Sequence, residues 1–229
     1  MTTVLPESPS QEEKGKRSSF SSNFARLNIP LHGVRLPSFK IEDRYINELA
    51  LPADISTYDF LRELCLIRFA HLGLDKGKSK KVYVDRIKYE LEILSELNFV
   101  EYILLVWKVV SYCRENDIPL GLGRGSAAGS MVLYLLQITQ IDPVKYGLFF
   151  ERFVSKARAK KKVVNGITYL DGSLMCDVDI DVCYYRRAEV LRYLEKEFKG
   201  STSKILTLNK LSGKLVMKEC GKVVGGKEE

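Results

Sequence analysis

Three aspartates alternate with apolar residues in CDVDIDVC, residues 176–183. In an extended strand, residues i, i+2 and i+4 share a face. Asp177, Asp179 and Asp181 therefore point one way, and Val178, Ile180 and Val182 point into a core behind them. Carboxylates set side by side repel one another unless cations sit among them. Hard divalent ions such as Mg2+ take oxygen ligands, commonly one or two carboxylates plus substrate phosphates. Two such ions about 4 Å apart can clamp an in-line phosphoryl displacement. The competing reading is an edge strand with a solvated polar face. Zinc is not expected, because Cys176 falls on the opposite side by parity and Cys183 has no His or Cys partner at ligand spacing.

Upstream lies a second stretch with chemistry in it, GLGRGSAAGS, residues 121–130. Small residues stand where a helix begins, and backbone N–H groups at a helix start form an anion site. Gly125 lets the chain approach a phosphate closely, Ser126 adds a hydroxyl donor, and Arg124 adds a guanidinium that can grip phosphate oxygens in pairs. The loop lacks the GK[ST] ending of a Walker loop and is not followed by the acid of a dinucleotide fingerprint. Its competing reading is a helix contact built on Ala127, Ala128 and Gly129. Both readings hold together if residues 124–126 face a ligand and the rest pack. A phosphate-cradling loop, a row of metal-binding aspartates and a basic chain together describe a nucleotidyltransferase, in which catalysis is mostly metal clamping and positioning.

Helical spacing must position these stretches. STYDFLRELCLIRFAHLG, residues 56–73, reads as a helix capped by Ser56 or Thr57, with Phe60, Leu64 and Ile67 on one face. Tyr83, Ile87, Leu91 and Leu94 recur at helical spacing in the next segment, and residues 99–115 form a mostly apolar helix. Residues 118–120 are a short strand or turn before the loop, and SMVLYLLQIT reads as a buried helix beginning within residues 126–130. Val164-Asn165-Gly166-Ile167 signals a two-residue hairpin turn. Residues 177–182 read as a strand. An amphipathic helix follows and ends at Gly200, then a short strand and a further helix.

Composition sets the bounds. The 229 residues are 45% hydrophobic and carry a formal net charge of +7, with pI near 9.0. This is a globular composition with a basic surplus that favours a polyanionic partner. Five cysteines with no CxxC pair argue against a disulfide framework. The first 38 residues, rich in Ser, Pro, Glu and Lys, read as a flexible lead-in without a secretory signal. The longest apolar run, FVEYILLVWKVVSY, is shorter than a membrane span and carries Glu101 and Lys108. The expectation is a soluble, cytoplasmic protein without a membrane partner.

GRGSAAGSMVLYLLQITQIDPVKYGLFFERF followed by DVDIDV closely resembles the bacterial replicative DNA polymerases of family C, the DNA polymerase III alpha subunits. YELEILSELNFVEYILLVWKVVSYCRENDIPLGLGRGS resembles the approach to that region, and SKILTLNKLSGKLVMKECGKVVGG resembles the entry to the thumb. The resemblance implies an α+β fold, a partial polymerase-beta-like nucleotidyltransferase palm with a mainly helical N-terminal part. It divides the chain into a flexible segment (1–38), a partial palm (39–200) with a basic hairpin insertion (155–175), and the start of a thumb (201–229). It assigns the two essential metal-binding aspartates, for two Mg2+ ions, to Asp177 and Asp179, with Asp181 as the following acid. It sets Arg124, Gly125 and Ser126 as the phosphate loop and Arg152 of FERF near the incoming nucleotide. For Arg152 the competing reading is a salt bridge with Glu151 or another nearby acid.

Three departures from the family stand out. Cys176 replaces the usual proline. The insertion carries Lys156, Arg158, Lys160, Lys161 and Lys162, which either track a phosphate backbone or form a solvated tip. The family protein is several times longer and holds its third catalytic aspartate beyond this sequence. The expectation is template-directed nucleotidyl transfer from a dNTP to a DNA primer end in replication, by a split or truncated fragment. That fragment is inactive alone and is completed by a second polypeptide supplying fingers, thumb and the third aspartate. The alternatives are a non-catalytic DNA- or nucleotide-binding remnant and a small stand-alone enzyme drawing a third carboxylate from Asp171 or Asp142.

Overall fold

The computed structural model describes residues 38–154, 161–164, 167–170, 176–200, 202–203 and 212–224. The lead-in before residue 38, the insertion residues Lys156, Arg158 and Lys160, Asp171 and the strand expected after Gly200 lie outside the described residues. The chain divides into two compact units, Met1–Val182 and Cys183–Glu229.

In the first unit, five helices follow one another: α1 (Asp43–Glu48), α2 (Thr57–His71), α3 (Lys80–Glu96), α4 (Val100–Glu115) and α5 (Met131–Leu135). Ser56 caps α2, its Oγ accepting the Asp59 backbone N–H at 3.0 Å and donating to the Asp59 carboxylate at 2.7 Å. The three long helices stop just before left-handed residues: Gly73 (φ 68°) after α2, Asn98 (φ 60°) after α3 and Asp117 (φ 50°) after α4. These are the residue types that tolerate this conformation at a helix end.

The core joins Phe60, Leu61 and Cys65 of α2, Leu94 of α3, Ile103 and Leu104 of α4, Met131 and Leu133 of α5, and Phe150, all fully buried. The apolar face expected on α3 is present: Ile87, Leu91 and Leu94 are buried and Tyr83 packs against the core. On α2 the face is rotated from the expected one. Phe60 is buried, but Ile67 is 46% exposed, and Leu61, Cys65 and Phe69 turn inward instead. The cause is that α2 packs against both α4 and α5, which centres its buried arc between Leu61 and Cys65.

The expected α+β palm is not the fold observed. The described residues are predominantly helical, and their only paired strands are a hairpin, β1 (Lys161–Val164) and β2 (Ile167–Leu170), antiparallel with Val164 opposite Ile167. The hairpin lies where the Asn-Gly signal put it, yet among the described residues no central sheet stands behind the aspartates. Residues 176–182, expected as a strand, are extended and join the rest of the unit by a single antiparallel bridge, Leu120 to Val182. The ladder cannot propagate, because the partner strand turns away at once through Gly121 and Gly123, the latter at φ 102°. The helix expected from residues 126–130 onward is also shorter. Residues Gly125–Gly129 wind as a 3-10 turn, and α5 has five residues.

In the second unit, a 3-10 turn (Tyr184–Arg186) leads into α6 (Arg187–Glu197), where Arg186 grips Glu189 through both forks at 2.8 and 2.6 Å. Gly200 follows at φ 80°, and α7 (Gly213–Val223) is capped by Ser212. No helix among the described residues is long and apolar enough to cross a membrane.

Candidate functional site

The glycine loop and the aspartate row meet through backbone first. Beside the Leu120–Val182 bridge, the Gly121 N–H donates to the Asp181 carbonyl at 2.9 Å. A Cβ on Gly121 would stand 2.9 Å from the Asp181 Cβ, closer than side chains approach, so glycine is what lets the row lie against the loop. Gly125, in the left-handed region at φ 66°, comes next to the row on its other side, 3.6 Å from an Asp179 oxygen to the position of a Cβ.

Between these glycines Arg124 is extended, and its guanidinium spans two carboxylates. Nη1 lies 3.0 Å from Asp179 Oδ2 and Nε 3.1 Å from Asp181 Oδ1. All three side chains are about half exposed, so these pairs fix geometry more than they add stability. Asp177 is exposed like its two companions, while Cys176 is buried and Val178 and Ile180 pack on the core. The parity of the row is thus that of a strand, even without a sheet. Tyr102 of α4 sits beneath it. Burial, then the charges of Cys176, Asp177 and Asp179, push its hydroxyl up to about 12, against a hydrogen bond from the Val178 backbone.

Behind the loop lies a network that sequence reasoning missed. Glu90 of α3 is fully buried, and its carboxylate accepts the Ser130 hydroxyl at 2.8 Å and the backbone N–H groups of Met131 and Val132 at 2.9 and 3.0 Å. Ser130 Oγ in turn accepts the Leu133 N–H at 3.3 Å. Arg86, one turn before Glu90, pairs with it at 2.6 Å and donates to the carbonyls of Gly129 and Leu148 at 2.7 and 3.0 Å. Burial pushes the Glu90 carboxyl up; the Val132 and Met131 N–H groups, Ser130 and Arg86 oppose it. The N–H groups of Met131, Val132 and Leu133 at the start of α5 are therefore already taken, and the phosphate loop expected at Arg124, Gly125 and Ser126 lies before them. The available signal was a charged pair spaced i, i+4 on the apolar face shared by Ile87, Leu91 and Leu94.

The packing half of the loop is buried at Ala127, Ala128 and Gly129, where a Cβ on Gly129 would meet the Phe149 carbonyl at 2.6 Å. Ser126 is half-buried and Gly125 exposed. Arg152 is exposed in the 3-10 turn Phe150–Arg152 and makes no ion pair among the described residues; its neighbour Glu151 accepts the Tyr89 hydroxyl at 2.7 Å instead. Asp142, considered as a third carboxylate, caps a turn, accepting the Val144 and Lys145 N–H groups at 2.9 and 3.0 Å and the Tyr83 hydroxyl at 2.8 Å.

The carboxylate oxygens of the row are hard, exposed donors of the kind Mg2+ takes, and the Arg124 guanidinium already stands among them as a cation. Among the described residues no three His, Cys, Asp or Glu side chains converge into a ready metal cluster. A site of two carboxylates completed by substrate phosphates fits this donor set.

Comparison with known proteins agrees with the motifs. Residues 59–229 match the family described as the bacterial DNA polymerase III alpha NTPase domain. The chain is 35% identical over 199 residues to DNA polymerase III subunit alpha of Ureaplasma parvum, covering 80% of this chain and 19% of that protein. It is 33% identical over 201 residues to the Bacillus subtilis subunit, covering 87% and 16% respectively. To a Helicobacter pylori subunit it is 38% identical over 189 residues, covering 82% and 14%. The chain thus spans less than a fifth of the length of these relatives.

Proposed function

Because this chain belongs to the bacterial DNA polymerase III alpha NTPase domain family, we propose that it supplies the nucleotide- and metal-handling part of a replicative DNA polymerase. The reaction is transfer of a nucleotidyl group from a dNTP to a DNA primer end. The remaining sequence typical of the relatives, in the same or a separate polypeptide, supplies the rest of the enzyme. The observation that carries this reading is Arg124 held between Asp179 and Asp181 by a glycine loop that only small residues allow to close.

In this reading Asp177 and Asp179 hold Mg2+, with Asp181 as an outer partner, and bound Mg2+ supplies Lewis-acid stabilisation of the charge that develops on the phosphoryl oxygens. With a metal on the row, Arg124 would be released from the carboxylates to grip the triphosphate, and Ser126 and the Gly125 backbone would line the phosphate path. Arg152, exposed and not ion-paired among the described residues, approaches the incoming nucleotide. The hairpin that begins at Lys161 carries the basic charge suited to a DNA backbone.

The test is a titration of labelled dNTP with and without Mg2+, in wild type and in Asp177→Ala and Asp179→Ala. Binding that requires both the metal and the aspartates supports the reading. Binding that is indifferent to both favours a non-catalytic nucleotide-binding role.

A further inference from the structure

On the face of the first unit behind the glycine loop, a cavity of about 210 Å³ lies between the last turns of α2 and α4 and the segment after α5. Arg68, Arg114, Tyr134, Gln137, Thr139 and Gln140 line it. Arginines in a last helical turn ordinarily complement free carbonyls, and Arg114 Nη2 does so, donating to the Gln137 carbonyl at 2.5 Å. That geometry leaves the Nε atoms of both Arg68 and Arg114 buried without a hydrogen-bond partner among the described residues. The Thr139 side chain, 2% exposed, is in the same state: its Oγ1 is buried and unpartnered. No carboxylate lines the cavity. Burial, then the Arg68 charge, pull the Arg114 guanidinium down, as expected for two cations sharing a space that nothing neutralises.

Two guanidinium groups and a hydroxyl that line one cavity, each with a buried atom that lacks a hydrogen-bond partner among the described residues, call for an anion with several oxygens. Size narrows the class. The cavity's volume of about 210 Å³ lies below the range of about 300–1,000 Å³ typical of drug-sized ligands. A phosphate or pyrophosphate group fits a space of this size. We propose that this cavity is a binding site for a phosphate-class oxyanion, held by Arg68, Arg114 and Thr139 and distinct from the Arg124 loop. The two are adjacent, since Thr139 packs against Gly123 and the Gln140 N–H donates to the Leu122 carbonyl at 2.8 Å. The proposal does not depend on the polymerase reading.

The experiment is a calorimetric titration of the 229-residue chain with inorganic phosphate in EDTA, at ionic strength matched with chloride. EDTA removes any route through metal at the aspartates. The expected result is saturable binding that Arg68→Gln weakens about tenfold and Arg62→Gln, which removes an exposed arginine of the same helix, leaves unchanged, with circular dichroism confirming folded variants. Arg68 carries the test because, unlike that of Arg114, its side chain makes no hydrogen bond among the described residues, so its replacement spares the fold. Competition by a short DNA oligonucleotide assigns the oxyanion to a nucleic-acid backbone, and its absence assigns it to free phosphate. No saturable binding by the folded chain, or equal loss in the Arg62→Gln and Arg68→Gln variants, overturns the proposal.

Discussion

Glu90 accepts the backbone N–H of Met131, forty-one residues further along the chain, at 2.9 Å. One buried carboxylate thereby takes over the start of α5 and ties it to α3, with Arg86 closing the other side of the loop through the Gly129 and Leu148 carbonyls. Glu90→Ala leaves the Arg86 charge without its counterion and three donors around the helix start without an acceptor. Loss of one partner of a buried pair typically costs about 3–5 kcal/mol, and that is the expected drop in urea unfolding followed by far-UV circular dichroism. A loss below about 1 kcal/mol, the range of exposed pairs, would show that the network does not hold the loop.

The two glycines flanking Arg124 separate close approach from backbone strain. Gly121→Ala puts a methyl 2.9 Å from the Asp181 Cβ, so the aspartate row must move away from the loop. Gly125→Ala meets only ordinary contact with Asp179 but must hold φ near 66°, at a cost of about 1–2 kcal/mol. Gly121→Ala is therefore expected to lower Mg2+-dependent dNTP binding about tenfold or more with modest loss of stability. Gly125→Ala should lose stability and keep most of the binding. Measuring both quantities on both variants checks the assignment, and identical behaviour would refute it.

What the sequence made legible follows from periodicity and local chemistry. The helices α2, α3 and α4, the Ser56 cap and the Asn-Gly hairpin are each set by residues close to one another in the chain. The alternating exposure of Asp177, Asp179 and Asp181 was equally readable, because parity depends only on an extended backbone. The sheet expected behind them was not there, because a strand needs a partner, and Leu120 offers one bridge before Gly121 and Gly123 turn the chain. Glu90 escaped notice for a related reason. Its role depends on where Ser130 and Met131 arrive in space, and in sequence it looked like one more charge on a helix rich in them. The backbone donors of Met131 and Val132 at the start of α5 belong to Glu90, so the phosphate loop expected at Arg124, Gly125 and Ser126 does not draw on them.

Tyr102 gives the aspartate row a pH signature. Its hydroxyl is pushed up to about 12, chiefly by burial, from an ordinary value of about 10. A folded pKa above the unfolded one means that the neutral phenol contributes stability in full below about pH 10 and loses it as pH rises through about 12. Wild type should therefore destabilise over that window more steeply than Tyr102→Phe, which lacks the group. Unfolding midpoints at a series of alkaline pH values check this, and parallel curves for the two proteins would remove Tyr102 from the account.

Arg124 yields opposite signs for two ligands. Its guanidinium occupies Asp179 and Asp181 at 3.0 and 3.1 Å, so a divalent cation entering the row must displace it. Arg124→Gln removes that competitor and a positive charge together. Two exposed pairs of about 0.2–1 kcal/mol each translate into roughly twofold to thirtyfold tighter binding of the metal alone, measurable by titrating Mn2+ as a paramagnetic substitute for Mg2+. The same substitution removes a donor for phosphate oxygens, so binding of the metal–dNTP complex should weaken. A structural arginine, needed only to hold the row in place, would lose both affinities on replacement. A guanidinium that moves between carboxylate and phosphate raises one affinity and lowers the other, and only that crossed result supports the role given to it here.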